Sequence, residues 1–179
     1  MRTNRRLPMP KSEQAVQQSS TGKLAIAGIG GVFAGAAICV AVLMAAMPSL
    51  MIRTYESRLG FDQTVADLET AVKSAGWHVS GVVDMNKSMA TQGVQFTPRV
   101  TLIKLCKAEY AQSVLSTDRQ VSTMMPCTIS VWEDEHGKVN ISKLNTALMG
   151  RVFGGNVADV MGGKVSTDEK KMLAGLIKK

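Results

Sequence analysis

The chain has 179 residues and a mass of 19.2 kDa, which suits one domain with an appendage and excludes a large multidomain enzyme. Aromatic residues make up only 4% of the chain, too few for a surface that stacks nucleic-acid bases. The formal charge of +7 is unevenly placed, because residues 1–23 hold five basic residues and one acid, and residues 24–52 hold no charge. Residues 53–179 are close to balanced and show no dense basic stripe, so nucleic acid is excluded as a partner.

The uncharged segment at 24–52 is the clearest signal in the chain. About 20 apolar residues in a helix cross a bilayer core, and 24 residues precede Pro48, which disfavours straight continuation of the helix. A cleaved signal peptide would have a shorter apolar core, and a lipoprotein signal would not place Ile38 before Cys39. A buried helix of a soluble protein is typically shorter and more amphipathic. We therefore predict a transmembrane helix at 24–52, preceded by a disordered basic tail at 1–23.

The flanks of this segment predict its orientation. Five basic residues precede it, whereas Arg53, Glu56 and Arg58 follow it. Because flanks rich in Lys and Arg stay in the cytoplasm, we expect a single-pass protein of the inner (cytoplasmic) membrane with its N-terminus inside and its domain in the periplasm. Gly31 and Gly35 form a small-x-x-x-small pattern, which lets two helices approach closely but is also common in any transmembrane helix.

The outer part begins with alternating strand and helix signals. Phe61, Leu68 and Val72 recur at helical spacing and predict one apolar stripe that packs on a sheet. Gly76 stands where a glycine commonly ends a helix. The predicted elements are a strand at 53–59, a helix at 61–75, a strand at 77–85 and a polar loop at 86–98.

The second half continues with a strand at 99–106 that is apolar on both faces, which is typical of an interior strand. The remaining elements are a helix at 107–115, a loop at 118–126 and a hairpin of strands at 127–132 and 138–142. The order β-α-β-β-α-β-β predicts an α+β fold, with a mainly antiparallel sheet and helices on one face.

The C-terminal residues are predicted to form a helical extension. Paired glycines interrupt its apolar pattern, and Ser166 with Glu169 forms a capping-box pattern that predicts the start of a last helix. The predicted domains are therefore an α+β domain at 53–146 and a helical extension at 147–179.

Several short motifs occur in a fixed order along the outer part. They are Tyr55-Glu56-Ser57, the helix at 61–75, Gly76-Trp77, Pro98-Arg99-Val100 leading to Cys106, Met125-Pro126-Cys127, and the strand and acidic turn of residues 131–142. Over residues 55–146 the chain resembles the family described as domain of unknown function 302. The resemblance implies a small prokaryotic α+β domain that is often dimeric. It implies no established activity and no thiol chemistry common to the family.

Three cysteines need an interpretation. Cys39 lies in the predicted membrane helix, where it is expected to be inert packing. Cys106 and Cys127 lie in the predicted periplasmic domain, where disulfides persist, so a structural disulfide is the first prediction. Separate buried thiols, a metal site and a redox-active pair remain open, although no Cys-x-x-Cys motif favours the last.

A metal site would draw on neighbouring methionines. Met124 and Met125 precede Cys127 closely, and thiolate with thioether ligands selects Cu(I). Methionine also fills gaps in cores, and the chain holds 12 of them. The two histidines, His78 and His136, are isolated, and no spacing of His and Cys is typical of zinc. We therefore expect no metal or cofactor, with Cys106, Cys127, Met124 and Met125 as the alternative ligand set.

No nucleophile elbow and no phosphate-binding glycine loop occurs in the sequence, so no catalytic residue is predicted. The leading hypothesis is a membrane-anchored, extracytoplasmic binding or interaction module that is not an enzyme. The alternative is a thiol-redox or soft-metal protein that uses Cys106 and Cys127. The expected partners are the membrane, a second copy of the chain in a homodimer, and an unidentified membrane or periplasmic protein.

Overall fold

A computed structural model describes residues 35–178 and divides the chain into two units, with the boundary after Met47. In the first unit, residues 35–47 are helical, and this helix, α1, runs to residue 51. It passes Pro48 and ends before Arg53. Among residues 35–178, no helix is long and apolar enough to cross a membrane. The predicted tail, the first third of the predicted transmembrane helix and Gly31 lie outside the described residues.

The second unit is built on one five-stranded sheet in the order β1-β5-β4-β3-β2. Each neighbouring pair is antiparallel, which confirms the predicted α+β class and the antiparallel sheet. The strands are β1 (Ile52–Glu56), β2 (His78–Asp84), β3 (Val100–Cys106), β4 (Cys127–Glu133) and β5 (Val139–Leu144).

Strand β3 lies between β2 and β4, as its apolar faces predicted. Its buried residues are Thr101, Ile103 and Leu105, and the residues between them are only half-buried because the second face of the sheet is more open. The helices pack against the buried face, as predicted. Helix α2 (Phe61–Ser74) inserts Phe61, Leu68 and Val72 into this core.

Two helical segments occupy stretches that were predicted as loops. Helix α3 (Met85–Ala90) begins because the side chain of Asp84 accepts a hydrogen bond from the Lys87 backbone N–H at 2.9 Å. Helix α4 (Ala108–Thr117) lies near its predicted position and is followed by a 3₁₀ segment, Arg119–Met124. Both missed segments are short and lack an apolar period that would have predicted them.

The C-terminal residues belong to the second unit and share its core. They form α5 (Thr146–Phe153), the short helical turn α6 (Gly155–Val157), a π-helix (Ala158–Val165) and α7 (Ser166–Leu173). Their buried side chains, which include Val157, Val160, Met161, Val165, Met172, Leu173 and Leu176, join one cluster with the sheet. These residues are therefore part of the domain's core.

Two contacts in this region depend on particular residues. A Cβ on Gly150 would lie 2.7 Å from the Cα and N of Gly162, so α5 and the π-helix approach too closely for a side chain there. The predicted capping box is wrong, because α7 continues directly from the π-helix and Ser166 makes no capping hydrogen bond. Glu169 instead contacts the sheet, as described below.

The two outer edges of the sheet differ. The C-terminal residues cover part of the β1 edge: Ser57 bridges Ile177, and the Lys178 N–H donates to the Glu56 carbonyl at 2.9 Å. The β2 edge carries a register shift between Val79 and Gly81.

Candidate functional site

A small cavity lies where β3 ends and β4 begins, against α4 and the π-helix. Its volume of about 20 Å³ is close to that of one water-sized sphere. Four of its lining residues carry sulfur: Cys106, Met125, Cys127 and Met161. We call this space the sulfur cavity. Its remaining walls are largely apolar and include Trp77, Leu105, Tyr110, Ala111, Pro126 and Val165.

The antiparallel pairing of β3 and β4 brings the two cysteines to one end of the sheet. Cys106 is the last residue of β3 and Cys127 is the first of β4. Cys127 is directly opposite Leu105, whereas Cys106 is opposite His78 on the other neighbouring strand. Because successive side chains of a strand point to opposite faces, this register does not direct the two sulfurs at each other.

The predicted disulfide is therefore absent, and Cys106 and Cys127 are both free thiols. The spacing in sequence was compatible with a bridge, but it could not show the one-residue offset in register that separates the cysteines. Both cysteine residues line the same cavity nevertheless.

The electrostatic surroundings of Cys127 favour its protonated form. Burial is the main cause that raises the pKa of this thiol to about 12, the nearby charges of Glu169 and Cys106 contribute to this rise, and Lys143 acts in the opposite direction. A thiol with this pKa is protonated at neutral pH, and the thiolate is the nucleophilic form. Cys127 is thus poorly suited to attack a disulfide. A metal ion that binds this thiol would have to displace its proton.

Asp168 holds the aromatic wall of the sulfur cavity in place. Its Oδ2 accepts hydrogen bonds from Trp77 Nε1 at 3.1 Å and from the Tyr110 hydroxyl at 3.2 Å. The Lys107 Nζ lies 3.7 Å from the same oxygen. The two rings pack edge to face with centroids 5.7 Å apart, so one carboxylate fixes both.

The next residue, Glu169, makes a buried ion pair behind the cavity. Its Oε2 accepts hydrogen bonds from Lys143 Nζ at 2.7 Å and from the Thr146 hydroxyl at 2.8 Å. All three residues are buried. Because buried charges are stable only when they are paired and hydrogen-bonded, this cluster fixes α7 against β5.

The structure brings together three of the four predicted sulfur ligands and leaves one out. Met124 packs against the core but does not line the cavity. Met161, which the sequence analysis had placed in a separate extension, takes that position. Within residues 35–178 no group of three or more His, Cys, Asp or Glu residues is placed to hold a metal, so any metal site here depends on methionine.

Two other expectations concern the N-terminal residues. A Cβ on Gly35 would meet nothing within 4 Å, and Gly31 lies outside the described residues, so packing between two such helices stays a prediction. Cys39 is an exposed free thiol on α1.

The sequence profile of the family described as "Domain of unknown function DUF302" matches residues 53–176. The match reaches 176, whereas the resemblance seen in the sequence ended at 146. The C-terminal helices that carry Met161 and Asp168 are thus part of the family domain.

Two relatives agree with this result. The chain is 32% identical to an uncharacterized protein of Aquifex aeolicus (strain VF5) over 57 residues, which cover 32% of this chain and 40% of that protein. A crystal structure described as an uncharacterized conserved protein DUF302 from Bacillus stearothermophilus superposes with a TM-score of 0.60 at 18% identity. It matches 71% of this chain and 96% of its own, which shows a shared fold.

Proposed function

Since the chain belongs to the DUF302 family, whose description names no reaction, we propose a function from its own residues: it binds copper(I) in the sulfur cavity. The observation that carries this proposal is that two cysteine and two methionine residues line one space of about 20 Å³. Thiolate and thioether ligands select soft cations such as Cu(I) over hard cations such as Mg²⁺. A cavity of this size admits a single ion and excludes an organic substrate.

The surroundings support binding rather than catalysis. The pKa of Cys127 is raised by burial to about 12, which disfavours a free thiolate but not a thiolate bound to a metal. Copper(I) with two thiolates would leave one negative charge. Lys107 lines the cavity and carries a positive charge that would offset it, whereas the effect of Lys143 on the pKa of Cys127 is outweighed by that of Glu169.

We further propose that this binding domain is held at a membrane, with the domain in the periplasm. Helix α1 supports the proposal because its apolar side chains are exposed, including Ile38 at 65% and Met44 at 70%. The basic excess of residues 1–23 supports the orientation. Self-association through Gly31 and Gly35 stays part of this proposal.

The copper proposal is tested by anaerobic titration of the full chain with Cu(I) in the presence of a chromophoric chelator that competes for the ion. We expect one bound ion per chain. Cys106→Ser, Cys127→Ser and Met161→Leu should each weaken binding by at least about tenfold, because each removes one ligand.

Two matched variants serve as controls. Cys39→Ser removes a thiol on α1, and Met172→Leu replaces a buried methionine outside the cavity. Both should bind copper as the parent chain does. If Cys39→Ser abolished binding, or if Cys106→Ser and Cys127→Ser left it unchanged, the sulfur cavity would not be the site.

A further inference from the structure

A second and larger pocket lies between strand β1, strand β5 and helix α7. Its volume is about 400 Å³, which falls within the range of small-molecule sites. Four of its lining residues are largely apolar: Tyr55, Leu173, Ala174 and Ile177. The other three are lysines, and we call the site the lysine pocket. It is lined by different residues from the sulfur cavity.

The lysines of this pocket are not equivalent. Lys143 is buried at its base and is paired with Glu169, and Lys178 at the rim is paired with Glu56. Lys170 is exposed at the rim, and no carboxylate lies within ion-pair distance of it in the described part of the chain. The pocket thus presents two neutralised lysines and one whose charge is available to a ligand.

The lining residues given for this pocket among positions 35–178 include three lysines and no acid. An apolar wall with an unpaired cation at its rim is complementary to a molecule with an apolar chain and an anionic head. We propose that the lysine pocket binds a single-chain anionic amphiphile, with its carboxylate or phosphate at Lys170 and its chain against Ala174 and Ile177.

The experiment uses the full chain in phosphatidylcholine nanodiscs and a fatty acid that carries a diazirine on its chain. After irradiation, mass spectrometry locates the labelled peptides. We expect labelling of peptides that hold Tyr55 and residues 170–178. The uncharged fatty alcohol of the same length should label these peptides at least about tenfold less, because it lacks the attraction to the lysine.

Two charge variants separate the pocket from a general basic surface. Lys170→Glu reverses the charge at the rim and should lower labelling of the pocket peptides by about tenfold or more. Lys171→Glu changes the net charge equally, but Lys171 does not line the pocket. The pocket peptides of this variant should therefore be labelled as in the parent chain. Ala174→Trp fills the pocket and should also reduce labelling.

The same assay identifies the source of the ligand. If unlabelled laurate competes and nanodiscs with added phosphatidylglycerol do not, the ligand is a free acid; the reverse result identifies a membrane lipid. Equal labelling by acid and alcohol, or equal loss in Lys170→Glu and Lys171→Glu, would overturn the proposal. Because the copper titration uses other residues, failure of one proposal leaves the other unaffected.

Discussion

The sulfur cavity lies against the π-helix and the lysine pocket lies against α7, and the ligands proposed for them would be selected by different physical means. The sulfur cavity has a volume of about 20 Å³ and soft donor atoms, so it discriminates by size and by polarisability. The lysine pocket is about twenty times larger and offers apolar surface with one unpaired charge. Under the two proposals above, one core supports two unrelated recognition chemistries, and a stable element separates them.

Three consecutive residues of α7 provide this separation. Asp168 holds the aromatic wall of the sulfur cavity, Glu169 pairs with Lys143, and Lys170 lies at the rim of the lysine pocket. Successive residues of a helix point about 100° apart, so each reaches a different environment. Predictions that perturb this arrangement test whether the two sites are independent.

The largest effect is expected for Glu169→Ala. This change leaves Lys143 buried without a partner, and breaking a buried pair in this way costs about 3 to 5 kcal/mol in the free energy of unfolding. Urea unfolding of the full chain measures it. The double variant Lys143→Met, Glu169→Leu removes both charges and should recover most of the loss. A loss below about 1 kcal/mol in Glu169→Ala would contradict a structural role for this pair.

A second prediction concerns Cys127 and pH. Its folded pKa of about 12 lies above the ordinary value of 9.0, so folding favours the protonated thiol. The resulting stabilisation is complete below pH 9 and is lost as pH rises to 12. It amounts to about 4 kcal/mol at most, from three pK units at about 1.4 kcal/mol each.

Unfolding measured from pH 8 to 11 should therefore show a steeper loss of stability in the parent chain than in Cys127→Ala, which lacks this group. Cys39→Ala should keep the slope of the parent, because its thiol is exposed. Parallel curves for the parent and Cys127→Ala would show that Cys127 is more hydrated than the structure indicates.

The smallest effect is expected for Gly150→Ala. The new Cβ would lie 2.7 Å from backbone atoms of Gly162, so α5 and the π-helix must move apart, at a cost of about 1 to 3 kcal/mol. Because the π-helix carries Met161, copper(I) affinity should fall while photolabelling of the lysine pocket stays unchanged. Gly162→Ala is the control, since its Cβ meets Gly150 Cα only at 3.4 Å. A fall in both copper(I) affinity and photolabelling of the lysine pocket would show that the two sites are coupled.

The sequence predicted the parts of the fold that have a regular apolar period. The apolar stripe of α2 and the apolar run of β3 were sufficient, because burial in the core imposes these patterns. Helix α3 was missed because it starts with a single hydrogen bond that the Lys87 backbone N–H donates to the Asp84 side chain. The prediction of a capping box was wrong because the carboxylate of Glu169 pairs with Lys143, which is 26 residues away in sequence.

The candidate site was only partly visible in the sequence. Cys106 and Cys127 could be named, but their pairing depended on a register that the sequence does not fix. Nothing in the sequence around Met161 indicated that it would line this cavity. The fold of the C-terminal helices brings it there. Lys143 could have been noticed, because it follows Val139 and Ile141 on the buried face of β5 and a buried lysine requires a partner.

The pairing of residues 176–178 with the β1 edge has a consequence for solubility. An open strand edge is a template on which further strands from other molecules can add, as in fibrils. Here the Arg58 N–H donates to the Leu176 carbonyl at 2.9 Å and Ile177 bridges Ser57, so the end of this edge next to Glu56 is already occupied. Proteolytic removal of residues 176–178 would expose this end of the edge and allow strands from other molecules to add to it. The C-terminal residues therefore protect this part of the sheet edge against strand addition.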